Sequence, residues 1–323
     1  MGIVNELLKA KIETKKGANP HLPRYRRATG ETANGLPRLL LQERDYRILR
    51  DIGRYRLLTT SQIETLRQAD ANDALRFPSR LTLTRRLKLL FHHGHVQRIA
   101  RPLAQGSLEP VYLLDALGVK SLHRHLSDSG GETNIKAKTG LPKTVALEHL
   151  LSVNQFRLSL EIACAVTAYR DESSRVELAQ WQGGGSVKFA IQVAAKGERT
   201  QTVRLIPDGF FALRSRGQRL FHFLEADRGT ESLPVLEAKC RAYYAYWQSG
   251  GFGRDFSLSP QIAFRVVFVL HSRRRLEAMG KVVAGLPSGR KMFWLTTEDE
   301  IVPHRVLDGV FHEVGCEQGR SLG

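Results

Sequence analysis

The chain has 323 residues, 42% apolar and 25% charged, a length at which two domains are expected and a composition that excludes wholesale disorder. No apolar stretch approaches the roughly 20 residues of a membrane span, and the polar start 1–11 does not read as a signal peptide, so no membrane partner is expected. Three cysteines, Cys164, Cys240 and Cys316, are too few for a disulfide framework or a zinc site, which makes a reducing, cytoplasmic setting the default.

The net charge is +17, and it is unevenly spread. Residues 1–143 hold 26 Lys+Arg against 13 Asp+Glu, while residues 144–323 hold 23 against 19. Of the 49 basic residues 35 are Arg, whose forked guanidinium suits phosphate and guanine. A polyanionic partner, double-stranded DNA, is the expectation, and a merely soluble basic protein the alternative. Residues 1–42 alternate basic clusters (Lys9, Lys11, Lys15, Lys16, then Arg24, Arg26, Arg27) with Gly, Pro and Asn. They read as a mobile basic arm that adds DNA affinity by neutralising phosphates, or as a solvated tail.

Order is expected from Glu43, in a domain spanning 43–126. Tyr46, Ile48, Leu49, Ile52 and Tyr55 recur at helical spacing, closed by Leu57-Leu58. Thr59-Thr60-Ser61 supplies an N-cap, with Glu64 three residues after Ser61 as in a capping box, for a short helix over 62–67. Pro78 and Ser79 open a third helix with the apolar stripe Leu83, Leu87 and Leu90, ended by Gly94. Strands over 96–100 and 111–114 and a helix over 116–126 complete the order of a winged helix-turn-helix. In such a domain the third helix enters the major groove and the hairpin lies on the backbone. Off the stripe that helix carries Arg80, Thr82, Thr84, Arg85, Arg86 and Lys88, and the wing carries Arg98 and Arg101. These are the candidate DNA-binding residues; a winged helix used for protein contact is the alternative. His92, His93 and His95 lack a fourth ligand at metal spacing and are placed near DNA phosphates.

Residues 127–143 show no apolar periodicity and read as a linker. A second domain is expected over 144–315, opening with a helix to about 169 that carries Asn154 on an apolar stripe. Strands follow over 176–181, 187–194, 202–206, 209–213 and 220–226, then a helix over 232–247. Strand 264–270, helix 273–284 and strand 291–295 complete a mixed α/β domain with helices on both faces of a central sheet.

Pro207-Asp208-Gly209 through Leu224-Glu225-Ala226-Asp227 reads as one hairpin turning at Arg216-Gly217. That register sets Asp208 opposite Glu225, with Asp227 on the same face. Three carboxylates at one hairpin end are costly unless a cation or protons sit there, and Mg²⁺ or Mn²⁺ is the natural occupant. Asp208, Glu225 and Asp227 are therefore the candidate metal ligands. A one-residue slip would move Asp208 to the other face. The structural alternatives are Asp208 as a turn former, and Glu225 and Asp227 paired with Arg228 or Lys239. Lys239, on the following helix, either reaches the acids or snorkels on the surface. Glu161 and Asn154 are further candidates for the same pocket, whereas Tyr243, Tyr244, Tyr246 and Trp247 read as core.

Long helix, strand, a hairpin with Pro207-Asp208 and Glu225-Ala226-Asp227, helix, strand: this order resembles the PD-(D/E)xK nuclease core, a restriction-endonuclease-like mixed sheet flanked by helices. The resemblance implies that Asp208 and Glu225 bind the metal that activates water. Asp227 stands where that fold has its lysine, and Lys239 is the candidate migrated lysine. Nearly the whole chain resembles the replication-relaxation family. The resemblance rests on the run from Arg47-Ile48-Leu49 to Thr59-Thr60-Ser61-Gln62-Ile63, on Arg85-Arg86-Leu87 with Gly94-His95-Val96, and on Glu148-His149 with Val153-Asn154. It continues through Pro207-Asp208-Gly209, Leu224 to Glu231, Lys239 and Tyr243 or Tyr244.

That resemblance implies a sequence-specific DNA-binding protein of a plasmid or other mobile element, a relaxase-like, metal-dependent nickase of replication or mobilisation. Asp208, Glu225 and Asp227 would hold the ion, with Lys239 or Arg228 stabilising transition-state charge. The alternative is a non-enzymatic accessory or regulatory protein whose degenerate nuclease fold dimerises or binds other mobilisation or replication proteins.

Overall fold

A computed structural model describes residues 25–28, 35–102, 107–129, 144–169, 172–193 and 201–323. Most of the basic arm, including Lys9, Lys11, Lys15, Lys16 and Arg24, and linker residues 130–143 lie outside the described residues. The chain divides into two compact units, Met1–Glu148 and His149–Gly323, and the architecture is mixed α/β. Among the described residues no helix is long and apolar enough to cross a membrane.

In the first unit α1 (Glu43–Tyr55) buries Ile48, Leu49, Ile52 and Tyr55, the helical stripe expected of it. It stops where Arg56 takes a φ of 70°. Leu57-Leu58 does not continue the helix. Instead β1 (Leu58–Thr59) pairs with β3 (Ser107–Leu114), Leu58 opposite Tyr112, and this recruitment moves the next helix start. Accordingly α2 (Thr60–Gln68) is capped by Thr59, whose hydroxyl accepts from Gln62 N while the Gln62 side chain accepts from Thr59 N. The capping box sits two residues before the Ser61–Glu64 pair expected from the sequence.

Next come α3 (Arg80–His92), capped by the Ser79 hydroxyl, and β2 (Val96–Pro102), followed by β3 and α4 (Ala116–Asp128). The three strands form one sheet in the order β1-β3-β2. Both hairpin strands are longer than their apolar cores suggest, because edge pairing continues past a bulge between Ile99 and Arg101.

The second unit begins within α5 (Thr144–Thr167). It continues with β4 (Val176–Gly183), the separate hairpin β5 (Phe189–Val193) and β6 (Gln201–Leu205), then β7 (Gly209–Ser215) and β8 (Gln218–Asp227). α6 (Leu233–Gln248), the short α7 (Gly251–Asp255), β9 (Phe264–Leu270), α8 (Arg273–Gly285), β10 (Phe293–Thr297) and β11 (His312–Glu313) complete it. The six-stranded sheet runs β11-β10-β9-β8-β7-β4, parallel from β8 to β10 and antiparallel at both edges.

Apolar layers cover both faces. Phe210, Phe223, Phe268 and Tyr243 share one with α6 and α8; Phe156 of α5, Phe211, Leu224 and Val267 share the other. A strand buried on both sides reads as an unbroken apolar run, which is why β9 matches its expected bounds. α7 was not foreseen, since two of its five residues are glycine.

Candidate functional site

The site is organised by the β7–β8 hairpin. Arg216 and Gly217 have φ of 48° and 74°, the pair of positive values that a tight two-residue turn requires. From that turn the register runs without a slip, Ser215 opposite Gln218 through Gly209 opposite Leu224. Asp208 therefore meets the Glu225 end of β8, its own N donating to Leu224 O at 2.9 Å and its Oδ2 accepting from Ala226 N at 2.8 Å. Asp208 Oδ1 faces His149 Nε2 at 2.8 Å, and that bond raises the imidazole pKa above its ordinary value.

Glu225 is only 2% exposed. Its Oε1 accepts from Tyr243 OH at 2.6 Å and its Oε2 from Lys239 Nζ at 3.0 Å. Burial, and then the Asp208 charge, push the Glu225 carboxyl up to about 7, against the pull of Lys239 and Tyr243. Burial opposes charging of Lys239, yet Glu225 and Glu231, the latter at 2.9 Å, hold its ammonium above the usual value. Burial and Glu225 likewise keep the Tyr243 phenol protonated. His149, Asp208, Glu225, Asp227, Glu231 and Lys239 line a cavity of about 220 Å³. Lys239 thus reaches the acids rather than snorkelling, and the Glu225–Lys239 pair is one of the alternatives the sequence left open.

Asp227 borders the same cavity but is otherwise engaged. Its Oδ1 accepts from Gly229 N at 2.9 Å, and its Oδ2 pairs with Arg275 of α8 rather than with Arg228 or Lys239. The Arg228 guanidinium turns to Glu298 at 3.0 Å and lies outside the cavity lining. Glu161 pairs with Arg157 at 2.8 Å, and neither it nor Asn154 lines the cavity. Among the described residues no three His, Cys, Asp or Glu side chains stand close enough to hold a metal ion by themselves. His149, Tyr243, Glu231 and Arg275 are the neighbours that sequence reasoning did not place in the site; the family motifs marked His149, Glu231 and Tyr243, and nothing in the sequence marked Arg275.

In metal-free buffer the two shifted groups act in one direction. The folded state keeps a proton on Glu225 up to about 7, whereas an ordinary carboxyl releases it near 4.5, so stability falls as pH rises across that window. The raised His149 adds stability that is fully present below 6.5 and is lost at higher pH. Denaturant unfolding from pH 4.5 to 8 is expected to show this fall, and Glu225→Gln to flatten its lower part.

The candidate DNA face divides in two. Arg85 and Lys88 are exposed and make no ion pair among the described residues. Arg86 is turned inward, Nε to the fully buried Asp45 Oδ1 at 2.7 Å and Nη2 to Leu40 O at 2.7 Å. This corrects the placement of Arg86 on the open face: the buried Asp45 draws it in. Arg80 is shared between Glu64 and Glu109, and the Thr84 hydroxyl donates to Arg80 O at 2.8 Å. Thr82 meets Ser79 Oγ at 3.0 Å. Arg98 stacks on Tyr25 at 3.9 Å, and Arg101 donates to Glu148, the last residue of its unit, at 2.8 Å. His92 Nδ1 accepts from Ala28 N and His93 Nε2 faces Pro37 O, both at 3.0 Å, while His95 is buried.

A basic unit of helices and a hairpin, followed by an α/β unit with an acid–lysine cavity at one sheet end, is the class of protein these features define. The chain belongs to the replication-relaxation family, whose model matches residues 49–262. No curated protein and no solved structure matches the chain.

Proposed function

We propose that the protein binds a specific DNA site of a plasmid or other mobile element through its first unit, and nicks that DNA in a metal-dependent reaction at the cavity of its second. The observation that carries this reading is Lys239 Nζ lying 3.0 Å from a buried Glu225 in the cavity that also holds Asp208. Two carboxylates and an ammonium are the groups a phosphodiester hydrolysis needs. Family membership supports a role in replication or mobilisation.

The donor set fits Mg²⁺ or Mn²⁺. Each oxygen of Asp208 and Glu225 accepts one protein hydrogen bond and retains a lone pair. Mg²⁺ characteristically takes one or two carboxylates plus waters and substrate phosphate, so a third protein ligand is not required. Asp208 and Glu225 would hold the ion, which supplies Lewis acidity and lowers the pKa of a bound water. His149 orients Asp208, Tyr243 orients Glu225, and Lys239 faces charge developing on the phosphate. Asp227, with Arg275, and Arg228, with Glu298, brace the cavity instead of ligating. In the first unit, read as a winged helix, Arg85 and Lys88 face the major groove and the β2–β3 hairpin lies along the backbone.

Incubating the full chain with supercoiled plasmid carrying the element's own origin tests this reading. Nicked circles are expected with Mn²⁺ and none with EDTA; absence of Mn²⁺-dependent nicking on that substrate overturns it. A second reading, a non-enzymatic DNA-binding accessory, is favoured by one observation: all four oxygens of Asp208 and Glu225 already have protein donors. It predicts no saturable Mn²⁺ binding in a calorimetric titration.

A further inference from the structure

A second cavity lies at the opposite end of the same sheet. Asp227 pairs with Leu270 at the acidic end of the β8–β9 ladder and Phe221 with Phe264 at the other, six residues or about 20 Å away. There a hollow of about 620 Å³, ample for a small ligand, opens between α6, the start of β9 and the turn that follows α8. Its walls are two aromatic rings of α6, Tyr244 and Trp247, with centroids 5.9 Å apart, and two cations, Arg290 and Lys291.

The aromatic wall is pinned. Gly289 has a φ of +78°, and a Cβ there would come within 2.4 Å of Tyr244 Cδ2, so the ring lies flush against bare backbone. No Asp or Glu lines the hollow, and neither cation pairs with a carboxylate among the described residues. Arg265, at the start of β9, turns to the other face of the sheet, 5.5 Å over the Trp294 ring. Arg290 Nε donates to Leu286 O at 2.7 Å, which ties its exposed side chain to the rim.

Rings without acids, beside unpaired cations, select a ligand that is planar and anionic at once. We propose that this cavity binds a nucleotide unit, its base stacked against Tyr244 and Trp247 and its phosphate against Arg290 and Lys291. Stacking tolerates any base, so recognition is of the nucleotide as a class. The unit comes from a free mononucleotide or from a single strand of DNA. The inference uses no residue of the acidic cavity and stands whether or not that cavity cuts.

The test titrates the full chain in EDTA with dAMP, with the single-stranded tetranucleotide (dA)4 and with a Glu-rich heptapeptide, read by calorimetry and tryptophan emission. Saturable binding of dAMP or (dA)4 with quenching is expected, together with loss of the quenching in Trp247→Phe. Arg290→Glu with Lys291→Glu, both exposed and so expected to melt like the parent, should weaken binding at least tenfold, as should Tyr244→Ala. Binding of dAMP identifies a free nucleotide as sufficient, and binding of (dA)4 alone identifies the strand. Binding of neither, binding indifferent to charge reversal, or equal binding of the acidic peptide overturns the proposal.

Discussion

Asp208→Asn is expected to lower Mn²⁺-dependent nicking of supercoiled DNA by at least about a hundredfold while leaving DNA affinity unchanged. The substitution keeps the shape of the side chain and a bond to His149, so its effect isolates the negative charge. Lys239→Met should fall comparably, because it removes the ammonium beside Glu225, and Lys239→Arg should recover part of the rate. Asp227→Asn separates ligation from bracing. With its carboxylate held by Arg275 and Gly229 N, its loss is expected first as reduced stability, about 3–5 kcal/mol, in denaturant melts. Nicking rates for the four variants, measured well below their melting temperatures, rank the roles. If Asp208→Asn nicks at the parental rate, the metal assignment fails.

Neighbouring arginines on α3 are expected to behave oppositely. Arg86→Ala leaves Asp45, fully buried, without its cation and should cost about 3–5 kcal/mol. Arg85→Ala touches no ion pair and should change stability by less than about 0.5 kcal/mol. Its effect belongs to DNA: weaker binding to all sequences if it meets phosphate, with the salt slope reduced by about one, or relaxed specificity if it meets a base. Melts and fluorescence anisotropy on the cognate duplex at several salt concentrations read both. A destabilised Arg85→Ala, or an Arg86→Ala as stable as the parent, would contradict the orientation of α3.

The difference between those two arginines also marks where sequence reasoning stopped. Helical spacing set both off the apolar stripe, correctly in each case, but spacing says nothing of Asp45, 41 residues earlier on another helix. The hairpin was legible because period-two alternation and a two-residue turn are local, and they sufficed to bring Asp208 to Glu225. Lys239, 14 residues from Glu225 on the next element, was legible only as one of two alternatives, reaching the acids or snorkelling, and packing decides between them. His149 and Arg275 reach the acids from 59 and 48 residues away, through packing that no local pattern encodes. Leu57-Leu58 shows the same limit: the pair extends a helical stripe, yet Leu58 is claimed instead by a strand more than 50 residues later.

The Arg216-Gly217 turn is exposed, the sort of place where chains usually accept insertions. Here it is length-locked. One added residue that shifted the β7–β8 pairing would rotate Glu225 from the layer of Phe223 and Tyr243 into that of Phe211 and Leu224, away from Lys239. Side chains at the turn can drift among residues that accept positive φ, but their number cannot. The placement of Glu225 at one end of the hairpin thus depends on loop length at the other, a constraint that the identities of the site residues alone do not reveal.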